Sequence, residues 1–379
     1  MLPGSGRVIL MTMAPDPLRR TRRLLEQGIR DGLHPGAQLY VSLRGQVVAD
    51  LALGEARPGI PMRPDTINLW LSSTKPVTAV LLGQLMEAGQ LAWDDPVARF
   101  IPEFAVGGKE GITIRHLLQH TGGFRQADRI PENLSWGETL QRICETPIEA
   151  SWIPGEQAGY QMYSSWIVLG EVVQRLSGQP FSTHVRNEVF APLGMNDSWI
   201  GMPSTAFQNY GDRIGWMHST ERNQMVAKDE WNSEAGCGRC RPGSNGRGPI
   251  RELGWFYEYL LGLRQPTGPA IVKTETVQEL TRRSRVGLFD RTFQHRMDWG
   301  LGFIVNSRRY GTETVPYGFG LHASDETFGH SGAQSSCAFA DPQHGLVVAW
   351  VCNGMPGPAR HHRRAYDLNT AIYGDLGLT

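Results

Sequence analysis

Ser72-Ser73-Thr74-Lys75 sets a hydroxyl and an amine three residues apart. Where such a segment opens a helix, positions i and i+3 project from one face. A serine hydroxyl is a weak nucleophile until a neighbour takes its proton, and a lysine can do so once burial or nearby positive charge lowers its pKa. The first turn of a helix adds N–H groups and a positive dipole end that favour developing negative charge. An S-x-x-K run is common by chance, and an N-cap serine before a surface lysine fits it as well. Only Lys75, Lys109, Lys228 and Lys273 are lysines among 37 Lys+Arg, which makes each one informative. Arginine does not release its proton near neutral pH.

Two further segments could supply partners. Tyr160-Gln161-Met162-Tyr163-Ser164-Ser165 follows Pro154-Gly155 and offers two phenols. Gly329-His330-Ser331-Gly332-Ala333 offers an imidazole, a hydroxyl and a glycine, and nearly spells G-x-S-x-G. That second reading would make Ser331 an α/β-hydrolase nucleophile, but an acid and a histidine must follow it, and too little chain remains for the missing strands. Cys237-Gly238-Arg239-Cys240 could be half of a zinc site or a redox pair; with no second half nearby, two thiols in a mobile loop are expected. Arg239, Arg241, Arg247 and Arg251 could hold a substrate carboxylate or phosphate, or form a solvated loop.

The elements that must position these residues follow from periodicity. Asp16–Leu33 predicts an amphipathic helix, and Ala37–Ser42 with Gln46–Leu53 a β-hairpin about Arg44-Gly45. Thr66–Leu71 predicts an extended segment running into a helix over Pro76–Gly89. Helices are expected over Ile114–Gln119, Trp136–Glu145, Ser164–Leu176, Phe181–Phe190 and Ile250–Leu263, with a loop over Gly236–Gly248. Strand character returns in Trp299–Asn306, Ser335–Asp341 and Leu346–Cys352, and Ala359–Tyr373 closes as a helix with His361-His362 on its surface. The expected fold class is mixed α/β (α+β): an antiparallel sheet built from both chain ends with flanking helices, plus an inserted, mostly helical region. One domain spans 14–379, its α/β lobe about 14–90 and 265–379 and its helical lobe about 91–264.

Together, Ser72 with Lys75, Tyr160 with the residues after it, and His330-Ser331-Gly332 resemble the three motifs of the serine β-lactamase and penicillin-binding-protein superfamily. Ile114-Arg115-His116-Leu117-Leu118-Gln119-His120-Thr121-Gly122-Gly123, Ala191-Pro192-Leu193-Gly194-Met195 and Trp299-Gly300-Leu301-Gly302-Phe303 look like its supporting segments, so the likeness runs nearly the whole chain. The resemblance implies Ser72 as acylated nucleophile, with Lys75 and Tyr160 sharing base and acid work, the tyrosine as a phenolate stabilised by the lysine. It implies an oxyanion hole from the backbone N–H groups of Ser72 and Ala333. His330, Ser331 and Gly332 would bind substrate, Gly332 by letting it approach the backbone. Tyr160 is preferred over Tyr163 because the family sets its phenol a fixed short distance beyond a P-G pair. The sequence departs from the pattern twice: Met162 or Ser165 stands where an Asn is usual, and His330 replaces a lysine. Both changes together favour an esterase, and the class C-like branch fits better because the Glu-containing omega-loop of class A β-lactamases is not evident.

Equal numbers of basic and acidic residues, 37 each, argue against a polyanion binder. No apolar run is long enough to span a bilayer, Met1–Met13 lacks a signal-peptide h-region, and five cysteines suit reduced thiols, so a cytoplasmic protein is expected. No metal or cofactor is implied, the partner is a small-molecule ester or amide, nucleic acid and membrane are not expected partners, and oligomeric state is left open. The expected activity is a carboxylesterase on small or medium acyl esters. Acyl transfer through the same acyl-enzyme comes next, then β-lactamase or D-amino-acid peptidase activity, then a non-catalytic binding homologue.

Overall fold

The computed structural model describes residues 16–131, 133–221 and 224–379. The reading of Met1–Met13 lies outside the described residues. The chain opens with helix α1, Arg19–Arg30, followed by strands β1, Gly36–Leu43, and β2, Gln46–Arg57. Arg44 and Gly45, both with positive φ (51° and 77°), make the tight turn between the two strands. Strand β3, Asn68–Leu71, leads through one 3-10 turn, Ser72–Thr74, into helix α2, Lys75–Glu87. Helix α3 spans Ser164–Ser177, strand β4 Gly246–Gly248 and helix α4 Ile250–Leu260. The chain finishes with β5, Phe328–Gly332, β6, Ser336–Asp341, β7, Leu346–Cys352, and α5, Pro358–Asp375.

Eight strands form one antiparallel sheet in the order 298–299, 304–305, β5, β6, β7, β1, β2, 60–61. The first and last thirds of the chain therefore meet at β1 and β7, where Leu39 pairs with Trp350 and Tyr40 with Ala349. Alternation sorts their side chains onto two faces. Leu39, Val41, Val348 and Trp350 join a core with Leu25 of α1 and Leu368 and Ile372 of α5. Tyr40, Ala349 and Val351 join the larger core with Phe256 and Tyr257 of α4. Helix α2 is buried almost all round from Lys75 to Leu85, as an apolar helix must be when it runs through the middle of a protein.

Three expectations need correction. Trp299–Asn306 is not one strand but two short ones, Asp298–Trp299 and Ile304–Val305, folded back on each other. His361 is not on the surface of its helix; it is 3% exposed and accepts a hydrogen bond at Nδ1 from Arg364 at 3.2 Å. Gly236–Gly248 is not a mobile loop: it contains the end of a short helix, Glu234–Gly238, and strand β4, which pairs with β3 and with Trp199–Ile200. Its glycines serve close approach. A Cβ on Gly243 would meet the Trp166 ring at 2.5 Å, and one on Gly246 would meet Thr74 Oγ1 at 2.5 Å and the Trp70 ring at 2.7 Å. Gly246→Ala is expected to cost about 1–3 kcal/mol by overpacking, read as a lowered Tm; an unchanged Tm would show that the segment yields. The two cysteines share this order. Cys237 is buried and Cys240 half-buried, neither is in a disulfide, and burial pushes both thiols up, Cys240 to about 12.

Candidate active site

Strand β3 delivers the nucleophile candidate through a strained residue. Leu71 has φ 50° and ψ −133°, a conformation costly for a branched side chain, immediately before Ser72. The kink turns Ser72 into a cleft while the next two residues anchor the turn. Ser73 Oγ donates to the His330 carbonyl at 3.1 Å, and Thr74 Oγ1 donates to the Leu71 carbonyl at 2.6 Å while accepting from Gly246 N–H at 2.8 Å. Ser336 Oγ donates to the Trp70 carbonyl at 2.6 Å, tying β6 to the same corner.

Lys75 begins α2 and is fully buried. Its Nζ lies 2.9 Å from Ser72 Oγ, 2.7 Å from the Met162 carbonyl and 2.9 Å from the Gly243 carbonyl. The face of Trp166 lies 5.5 Å away. Loss of water around the ammonium lowers its pKa to about 7, against an opposing pull from Asp128. Tyr160 donates its hydroxyl to Ser72 Oγ at 2.8 Å. Burial raises the phenol well above its ordinary value, which keeps it protonated. The phenolate expected from the resemblance is disfavoured by this burial.

Four hydrogen bonds hold the Tyr160 segment. Tyr160 N–H donates to Asp290 Oδ1 at 3.0 Å, and its carbonyl accepts from Thr292 Oγ1 at 2.9 Å. On either side, Gly159 N–H donates to the His120 carbonyl and Gln161 N–H to His120 Nδ1, at 2.9 and 3.1 Å. An imidazole accepting at Nδ1 carries its proton on Nε2. The His120 ring also packs 4.5 Å from the Tyr160 ring, and Phe293 covers the phenol at 4.6 Å. Tyr163 takes a different path: its hydroxyl donates to the Ile130 carbonyl at 2.5 Å, although the side chain also lines the cleft.

Leu71, Ser72, Tyr160, Met162, His330, Ser331 and Ala333 line one cleft of about 310 Å³ with Phe293, Tyr317 and Trp231. His330 is 1% exposed, donates from Nδ1 to the Ser331 carbonyl at 2.9 Å, and is held neutral by burial and by Lys75. Gly332 does not face the cleft as expected. A Cβ there would meet the Trp70 carbonyl at 2.3 Å and Leu71 Cβ at 2.9 Å, so this glycine lets β5 approach β3 and not a substrate. Of the four arginines singled out, Arg239 and Arg241 line the cleft. Arg247 is buried in β4 against the Trp231 carbonyl, and Arg251 pairs with Asp50 at 2.9 Å.

Phe293, Tyr317 and Asp128 line the cleft without having been singled out from sequence. Phe293 and Tyr317 sit in irregular connections whose pattern carries no periodic signal. Asp128 did leave one trace. Tyr163 stands at the N-cap of α3 with no side-chain cap, so the helix start had to be satisfied from elsewhere.

A serine at a strained strand-to-helix junction, within hydrogen-bond reach of a buried amine of lowered pKa and a phenol, defines a serine hydrolase. The chain belongs to the Beta-lactamase family, whose model matches residues 21–372. It is 34% identical over 376 residues to esterase EstB of Burkholderia gladioli, an alignment covering 89% of this chain and 92% of that protein. Among solved structures, a penicillin-binding-protein homologue from Caulobacter crescentus superposes with a TM-score of 0.77 at 28% identity, covering 96% of this chain and 98% of the other. A family VIII carboxylesterase superposes at 0.76 with 25% identity and the same coverage. Among the described residues, no helix is long and apolar enough to cross a membrane.

Proposed function

We propose that this protein is a carboxylesterase acting through an acyl-enzyme on Ser72. The observation that carries the reading is Ser72 Oγ held between Lys75 Nζ and Tyr160 hydroxyl at 2.9 and 2.8 Å. Neutral Lys75 takes the Ser72 proton as Oγ attacks the ester carbonyl carbon. The resulting oxyanion is received by the backbone N–H groups of Ser72 and Ala333, which border the same cleft. Tyr160 then donates its proton to the departing alcohol oxygen and regains one from protonated Lys75. Water repeats the sequence in reverse and frees the acid. His330 supports an ester over a β-lactam, since a neutral, buried imidazole offers no permanent charge to a substrate carboxylate. The names of EstB and the family VIII carboxylesterase point the same way.

Acyl transfer to an alcohol is a second reading, supported by a second cavity of about 680 Å³ that shares Thr292, Phe293 and Tyr317 with the lining of the cleft. Five unpaired cysteines fit a reducing compartment, and the cytoplasm is the proposed location.

A fluorophosphonate should add one adduct mass to Ser72 of the wild type and none to Ser72→Ala. A panel of nitrophenyl esters, a chromogenic cephalosporin and a D-alanyl peptide then sorts the substrate classes, with the esters expected to turn over fastest. Faster cephalosporin hydrolysis would overturn the esterase reading. Product partitioning with added alcohol measures transfer against hydrolysis.

A further inference from the structure

The position two residues after Tyr160 holds Met162, whose thioether brings no amide and no charge to the lysine's surroundings. Asp128, on the 3-10 turn Arg125–Arg129, reaches this ground from another element. One carboxylate oxygen accepts Met162 N–H at 2.6 Å; the other accepts Ser164 N–H at 2.9 Å and Tyr163 N–H at 3.3 Å. The Met162 carbonyl in turn accepts from Lys75 Nζ at 2.7 Å. A single side chain thus caps α3 and fixes the peptide that orients the lysine. We propose that Asp128 is a positioning residue, aiming Lys75 at Ser72 through the Met162 carbonyl while contributing a negative charge to the lysine's surroundings.

Geometry and charge can be separated because few groups among the described residues face Lys75. They are the hydroxyls of Ser72 and Tyr160, the carbonyls of Met162 and Gly243, the faces of Tyr160 and Trp166, and the imidazoles of His120 and His330, both held neutral by burial. Arg285 lies beyond His120 and is paired with Asp290 at 3.2 Å. Asp128 is the anionic group that opposes the burial of the ammonium. Removing its charge while keeping its shape leaves the burial unopposed, so the neutral, proton-accepting amine persists to lower pH.

The proposal rests on the Ser72–Lys75 reading above, and its test needs no knowledge of the natural substrate. The rate of Ser72 phosphonylation by a fluorophosphonate is measured from pH 5 to 9 for wild type, Asp128→Asn, Asp128→Ser and Asp128→Glu. In Asp128→Asn the acidic limb should move to lower pH by at least about half a unit, the scale of losing one nearby charge. Its plateau should fall about tenfold, because an amide N–H₂ facing Met162 N–H loosens that peptide. Asp128→Glu should keep the wild-type limb. With a nitrophenyl ester, kcat should fall more than KM changes. A limb that stays put in Asp128→Asn, or that moves as far in Asp128→Glu, overturns the proposal. If Asp128→Asn does not fold, Asp128→Ser provides the charge-free comparison by the same criterion. No labelling of wild-type Ser72 would sink the hydrolase reading itself and this proposal with it.

Discussion

Lys75→Ala should lower kcat/KM for a nitrophenyl ester by at least about a hundredfold, the usual scale for removing a general base. Lys75→Arg should fare no better, because a guanidinium keeps its proton and its fork does not fit the space of an ammonium bound to two carbonyls. The wild-type pH profile follows from the same geometry. In the proposed mechanism the working form of Lys75 is the neutral amine, and burial brings its pKa down to about 7. kcat/KM should therefore rise as pH increases through about 7 and level off above it. The measured value belongs to the Lys75–Tyr160 pair, since both share Ser72 Oγ. A profile flat from pH 5 to 9, or near-full activity in Lys75→Ala, would remove the lysine from the base role.

Tyr160→Phe should cost about a hundredfold in kcat, since it removes the proton donor for the leaving alcohol and leaves the ring packed between His120 and Phe293. Tyr163→Phe should instead register as a loss of about 0.5–1.5 kcal/mol in stability, the worth of its hydrogen bond to the Ile130 carbonyl. Measuring both variants in parallel, by ester turnover and thermal unfolding, decides between the two phenols. The reverse order of effects on kcat would mean that Tyr163 moves into the reaction and Tyr160 only packs.

Much of the frame is legible in the chain itself. The hairpin about Arg44-Gly45, helix Trp136–Glu145 and strand Leu346–Cys352 lie where the pattern predicts them, because each carries a local signal. A positive-φ turn, a capping box at Ser135 and an unbroken apolar run are each decided within a few residues. The 236–248 segment shows the opposite case. Its glycines read as flexibility, yet they are there because Trp70, Thr74 and Trp166 crowd them from distant parts of the chain. Gly332 is the same case, crowded by the Trp70 carbonyl and Leu71: what lies against a missing Cβ is a tertiary fact.

For the site, residue type and spacing offered Ser72 and Lys75 as a candidate nucleophile and base, since a hydroxyl and an amine at i and i+3 on a helix start share one face, while the choice of Tyr160 came from the resemblance to the superfamily's motifs. The rarity of lysine in the chain marked Lys75 for the same role. Only the fold decided the surroundings of the lysine. Its pKa depends on complete burial, opposed by a carboxylate at Asp128, and its aim depends on carbonyls of Met162 and Gly243, three residues all more than fifty positions away in the chain. Proton affinity is set by solvent exclusion and by charges a few ångströms away, and those distances exist only once the chain has folded.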